Sequence, residues 1–79
     1  MEPDWQDYAD CSGAFFSAGN IKDSVEFSNR AMERAENQGE DLKQEDLEEH
    51  VARVFVNIMQ SEDVEVTRKA YFNNCGISD

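Results

Sequence analysis

The chain has 79 residues, 18 of them Asp or Glu and only 7 Lys or Arg, which gives a formal charge of −11. One small domain with a thin core is all this length allows, too little to enclose an enzyme-sized pocket comfortably. The sign of the charge excludes partners held through phosphate, which Lys and Arg must neutralise, so neither direct nucleic-acid binding nor docking on an anionic membrane is expected.

The first predicted helix covers about residues 4–18. Trp5, Tyr8, Ser12, Phe15 and Phe16 keep a three-to-four spacing with Cys11 alongside, which is one apolar stripe. Asp4, Asp7 and Asp10 form a separate acidic row, and the acids nearest the start suit a helix N-terminus. Gly19-Asn20 closes the helix, because both residues tolerate the left-handed conformation. The second helix, about residues 21–38, starts with Asn20 as cap and Asp23 in the position of a capping-box acid. Ile21, Val25, Ser28, Met32 and Ala35 make its expected inner stripe, flanked by Phe27 and Ala31, and Gly39 stops it.

The third helix, about residues 42–60, has Asp41 and Gln44 spaced as a capping box. Leu47, Val51, Val54, Phe55, Ile58 and Met59 follow as the clearest amphipathic stripe in the chain. Its first half is crowded with acid (Glu40, Asp41, Glu45, Asp46, Glu48 and Glu49, against Lys43 alone), whereas its second half is nearly uncharged. The fourth helix, about residues 62–75, takes Ser61 as its cap and faces inward with Val64, Thr67, Tyr71 and Cys75, a stripe broadened by Val66 and Ala70. A strand at residues 64–67 would have no partner, and Gly76 terminates the helix, leaving residues 77–79 to fray. Four short helices with short links predict an all-α, compact bundle of antiparallel helices in one domain, residues 1–79. Tyr8 to Ala35 reads as a helix hairpin without a second copy, so a repeat array, which needs about three units, is excluded.

Disorder is not expected either: the apolar residues, 39% of the chain, recur at helical spacing, and only one proline is present. No stretch approaches the roughly 18 apolar residues of a membrane span. The opening residues, MEPDWQDYAD, lack the basic start and apolar middle of a signal peptide. The chain is therefore expected either in the cytoplasm or, as a mature domain, in a periplasmic or secreted setting.

Cys11 and Cys75 bear on that choice and leave two readings open. They are free buried thiols acting as small apolar residues, or they form a disulfide joining the first helix to the end of the last. A native bridge would place the protein in an oxidising compartment. Two Cys and one His fall short of the four ligands of structural zinc, so neither metal nor cofactor is expected. A calcium loop built around Gly39 would put Glu45 at the right last position, but Arg34 would stand at the lead ligand, which defeats it. His50 follows Asp46 by one helical turn and is expected to pair with it on a solvated face. One His with no nucleophile placed beside it is too little machinery for an enzyme.

What remains is a surface. The expected function is non-catalytic binding of a protein partner with a basic surface, through acidic patches at Glu45, Asp46, Glu48 and Glu49 and at Asp7 and Asp10. Such a module could act as an inhibitor that imitates nucleic-acid phosphates and occludes a Lys/Arg groove. The alternative is a small exported helical domain, structural or stress-associated, stapled through Cys11 and Cys75. Phe27 and Phe72 fall off the best stripes and are expected at an exposed contact or a homodimer seam.

Overall fold

The computed structural model describes residues 3–76, which form four α-helices: α1 (Trp5–Ser17), α2 (Ile21–Asn37), α3 (Gln44–Met59) and α4 (Val64–Asn74). The expectation for residues 77–79 lies outside the described residues. α1 begins with a reciprocal capping box: Asp4 Oδ1 accepts the Asp7 N–H at 3.0 Å, and Asp7 Oδ2 accepts the Asp4 N–H at 3.2 Å. Gly19 follows at φ 80°, which lets the Asn20 N–H reach Phe15 O at 2.9 Å and the Gly19 N–H reach Phe16 O at 3.0 Å. These two bonds satisfy carbonyls that the helix end leaves open. Gly39, at φ 75°, closes α2 in the same way.

Two expected caps are corrected. Lys43, not Asp41, stands at the α3 N-cap and makes no side-chain cap bond, so the Asp41–Gln44 box does not form. Asp63, not Ser61, caps α4 by accepting the Val66 N–H, while Ser61 Oγ donates to Ile58 O at the end of α3. In both links the first residues after the preceding helix are used to turn the chain, and the next helix starts two residues late.

Cross-helix pairs fix the directions. Trp5 meets Gln38 while Ser12 meets Ser24 and Ser28, so α2 runs against α1. Asp10 meets His50 and Phe16 meets Phe55, so α3 runs with α1. Cys75 bonds Cys11 and Arg68 reaches Ser17, so α4 runs against α1 again. The all-α bundle is therefore up-down-up-down, with sequential neighbours antiparallel. Its centre is α1, which packs on all three other helices, whereas α2 and α3 touch only slightly and α2 does not touch α4.

That role explains the composition of α1. Cys11, Ser12, Gly13 and Ala14 are buried in succession, so the middle of the helix is enclosed on every side. Small residues permit this. A Cβ on Gly13 would lie 2.6 Å from Val54 Cγ1, so α3 approaches α1 as closely as only glycine allows. On the α2 side, Ser12 Oγ lies 2.7 Å from Ser28 Oγ and donates to Ser24 O at 2.7 Å, while Ser24 Oγ returns a bond to Ser12 O at 2.9 Å. These buried hydroxyls satisfy one another, which burial requires.

The apolar core divides into two clusters along α1. Ala9, Ala31 and Leu47 form one, covered by Trp5, Tyr8 and Met32; Ala14, Val54 and Ile58 form the other, covered by Val64, Tyr71 and Phe72. Phe15 links the sides, its ring centroid 5.3 Å from Phe27 and 4.7 Å from Phe72. Phe27 and Phe72 thus pack inward rather than forming an exposed seam: Phe72 is half-buried against the second cluster, and Phe27 is 8% exposed and carries Arg30 over its ring. The radius of gyration, 11.7 Å, is close to the roughly 12 Å of a folded chain of this length.

The inner face of α2 is the main correction. Its buried residues are Ser24, Phe27, Ala31 and Ala35, while Ile21 and Val25 stand 51% and 54% exposed. The helix is rotated so that Ser24, Ala31 and Ala35 meet α1 along with Phe27, while Ile21 and Val25 face outward.

Candidate functional site

The acids of α3 occupy its solvent side. Glu45, Asp46, Glu48 and Glu49 are all exposed, on either side of the buried Leu47. Glu45 and Asp46 lie in the first turn, where the helix dipole favours negative charge and where Lys43 supplies no side-chain cap. Glu49 pairs with Arg53 at 2.8 Å, but both groups are largely in water and the pair adds little. Glu45, Asp46 and Glu48 have no hydrogen-bond or ion-pair partner among the described residues, so their charge projects outward.

Asp7 and Asp10 are arranged differently. Asp7 is held in the α1 capping box. Burial pushes its carboxyl above the ordinary 3.8, with the neighbouring charges of Asp4 and Asp10 adding to this and the hydrogen bond from the Asp4 N–H opposing it. A raised folded-state pKa makes the charged form unfavourable in the native state, so stability is regained as pH falls through that value. Asp7→Asn keeps an acceptor for the Asp4 N–H and removes the charge. It is expected to be within about 0.5 kcal/mol of wild type or more stable at pH 7, with the difference vanishing below the ordinary carboxylate pKa. Thermal unfolding of both proteins at neutral and acid pH checks this.

Asp10 is a bridge between helices. Its Oδ1 lies 2.6 Å from His50 Nε2 and its Oδ2 accepts from Asn74 Nδ2 at 3.0 Å, so one carboxylate joins α1 to α3 and α4. Asp46 is not the partner of His50, contrary to the sequence expectation. The close α1–α3 contact brings Asp10 to the imidazole, and the Trp5 ring packs edge-on at 5.5 Å. His50 is thereby fixed between helices rather than paired on a solvated face. The sequence separation of 40 between Asp10 and His50 gave no local signal for the contact.

Cys11 and Cys75 are joined in a disulfide with Cα atoms 6.3 Å apart. Cys11 is completely buried on α1, and Cys75 is the C-cap of α4. The bridge therefore holds a helix that has no fully buried residue of its own. Arg68 assists, with Nε donating to Ser17 Oγ at 2.9 Å and Nη2 to Ser17 O at 3.1 Å, a cation placed at the C-terminal end of α1.

The slight contact between α2 and α3 leaves a cleft that sequence reasoning missed. A hollow of about 400 Å³ lies there, with Ser24, Val25 and Ser28 on the α2 side, Val51, Ala52 and Phe55 on the α3 side, and Phe16 of α1. Phe16 is 45% exposed and stacks edge-to-face on Phe55 at 5.1 Å. Glu48, Asn29 and Gln44 form polar margins. The available signal was the surplus of apolar residues on α2, of which Val25 lines the hollow.

Among the described residues, no group of three or more His, Cys, Asp or Glu is placed to hold a metal ion, and no helix is long and apolar enough to cross a membrane. Comparisons with protein-family models, curated proteins and solved structures return no match, so the site is read from its own geometry.

Proposed function

We propose that the chain is a non-catalytic, acidic protein-binding module that occludes a basic surface of its partner, such as one used to hold nucleic acid. The observation that carries this reading is the exposed row Glu45, Asp46 and Glu48, without internal partners among the described residues, on a helix locked to the rest of the fold through Gly13, Asp10 and Leu47. Charges fixed on a rigid element steer an oppositely charged partner and set its register. Asp7 and Asp10 contribute to the negative potential on α1 while their oxygens serve the fold.

The test is capture of partners from the native host with wild type and with Glu45→Lys, Asp46→Lys, Glu48→Lys and Glu49→Lys combined. The variant is expected to keep its fold, since these side chains are exposed, with some loss of stability at the α3 N-terminus, where the dipole favours Glu45 and Asp46; circular dichroism checks that it is folded. It should bind the captured partner at least about tenfold more weakly and with a flatter salt dependence. Unchanged affinity and unchanged salt dependence would sink the proposal.

The disulfide supports a second reading, a small exported structural domain whose acidity serves solubility. Intact mass of native material separates the two. A bridged protein gains about two mass units on reduction, as export requires; free thiols in native material exclude it.

A further inference from the structure

We infer that the cleft between α2 and α3 is a receptor groove for a basic amphipathic helix of a protein partner, an inference that rests on the binding function proposed above and names the partner's chemistry. Three features of the cleft specify the occupant. First, its walls are two helices that both pack on α1 and touch each other only slightly. The α3 lining runs from Gln44 to Phe55, roughly 16 Å or three helical turns, which is the length over which one docked helix presents anchors at i, i+4 and i+7. Second, Ser24, Ser28 and Ala52 are small, so large side chains can enter between Val25 and Phe55. Val25, 54% exposed, and Phe16, 45% exposed, then gain apolar cover.

Third, the charge is graded along the cleft. Stepping along the same α2 stripe from Val25 and Asn29 toward the α2–α3 turn leads to Glu33 and Glu36. There a second hollow has Met32 and Leu42 in its lining along with these two acids and with Glu40 and Asp41. Glu48 borders the apolar hollow itself. An apolar hollow followed by one that carries four acids matches a helix with apolar anchors and a cluster of Lys or Arg toward one end. The same charge opposes a second copy as the occupant, because both partners would carry −11.

The test titrates isotope-labelled protein, in its oxidised form and at about 150 mM salt, with three synthetic peptides of about 18 residues. One has a Leu face and a Lys face, one has the same Leu face with Glu in place of Lys, and one has the Lys composition with the Leu residues dispersed. The Leu/Lys peptide is expected to bind at one-to-one stoichiometry and to shift the amide signals of residues 24–29 and 48–55, and the other two to bind at least about tenfold more weakly.

Ala52→Trp, which fills the hollow, and Val25→Asp, which places charge in it, are each expected to weaken the Leu/Lys peptide at least about tenfold. Both sites are exposed, and wild-type helicity and melting of either variant establish that it is folded. Equal binding of the dispersed and the amphipathic Lys peptides, with shifts confined to the Glu45–Glu49 row, overturns the groove and leaves the acidic docking function standing. Equal binding of the Glu peptide overturns both. Absence of binding, or concentration-dependent groove shifts in protein alone that indicate a second copy, overturns the groove assignment.

Discussion

Replacing Cys11 and Cys75 together with serine is expected to lower stability by about 4 kcal/mol and to release α4 before the rest of the molecule. The magnitude follows from closing a loop of about 65 residues in the unfolded chain. A small domain has a total stability of about 5–15 kcal/mol, so the bridge is a large share of it. The local effect follows from the packing. α4 has no fully buried residue, and its other attachments are the partly buried Val64, Tyr71 and Phe72, the Arg68 bonds to Ser17, and single side-chain bonds from Asn74 to Asp10 and from Asn57 to Tyr71. The Cys11→Ser half of the change also buries a hydroxyl where the disulfide sulfur now sits beneath α4. Thermal unfolding with and without reductant is expected to show a melting temperature lower by roughly 15–30 °C in the reduced protein. Amide exchange should accelerate first in residues 64–74. An unchanged melting temperature on full reduction would show that α4 is held by its side chains alone.

Gly13→Val is expected to prevent the native α1–α3 contact, and Gly13→Ala to weaken it measurably. A Cβ at this position lies 2.6 Å from Val54 Cγ1, 2.7 Å from Val54 Cβ and 3.1 Å from Val51 O. One of the obstacles is backbone and another is a β-branched side chain with little rotamer freedom, so neither can move aside cheaply. Overpacking of this kind costs about 1–3 kcal/mol, against which Ala recovers about 1 kcal/mol of helix propensity. The net loss for Gly13→Ala is thus up to about 2 kcal/mol, or roughly 8–16 °C in melting temperature. Valine adds two methyl groups in the same space and should leave the chain largely unfolded at 37 °C. Val54→Ala in the Gly13→Ala background should recover part of the loss, so that the double variant is more stable than the two single effects predict. Additive effects would mean that Gly13 is not the point of closest approach.

The two expectations share a cause that also decides what was legible in the sequence. Helix number, type and approximate limits could be read because the signals are local. Gly19 and Gly39 end helices through their own backbone conformations, and Asp4 and Asn20 cap helices through residues three positions away. The inward face of α4 was legible in the regular spacing of Val64, Thr67, Tyr71 and Cys75, but Val66 and Ala70, which the stripe also took in, lie on the exposed side. The orientation of α2 was not legible. Ranking side chains by hydrophobicity selects Ile21 and Val25 as interior and passes over Ser24; the observed face keeps the expected Phe27, Ala31 and Ala35 but takes Ser24 against α1 and leaves Ile21 and Val25 outside. The run Cys11-Ser12-Gly13-Ala14, unusual for a helix interior, was the sequence trace of the close packing around α1.

The candidate site divides along the same line. The acids of α3 could be placed on the outside because Leu47, Val54 and Ile58 define the inside of the same helix. The bond from Asp10 to His50 could not be found, since it depends on α1 and α3 running in the same direction in direct contact. Nor could the cleft, which exists because α2 and α3 each pack on α1 and barely on each other. Its exposed Val25 and Phe16 are apolar residues that local periodicity assigns to a core.

The central claim is that this chain acts by docking a basic protein on the side formed by α2 and α3. Amide hydrogen exchange of the chain free and in its native complex tests that most directly. The account predicts added protection in residues 21–32 and 44–56, with the exposed face of α4 around Val66 and Ala70 unchanged. Protection confined to α4, or none on α2 and α3 in a saturated complex, would contradict it.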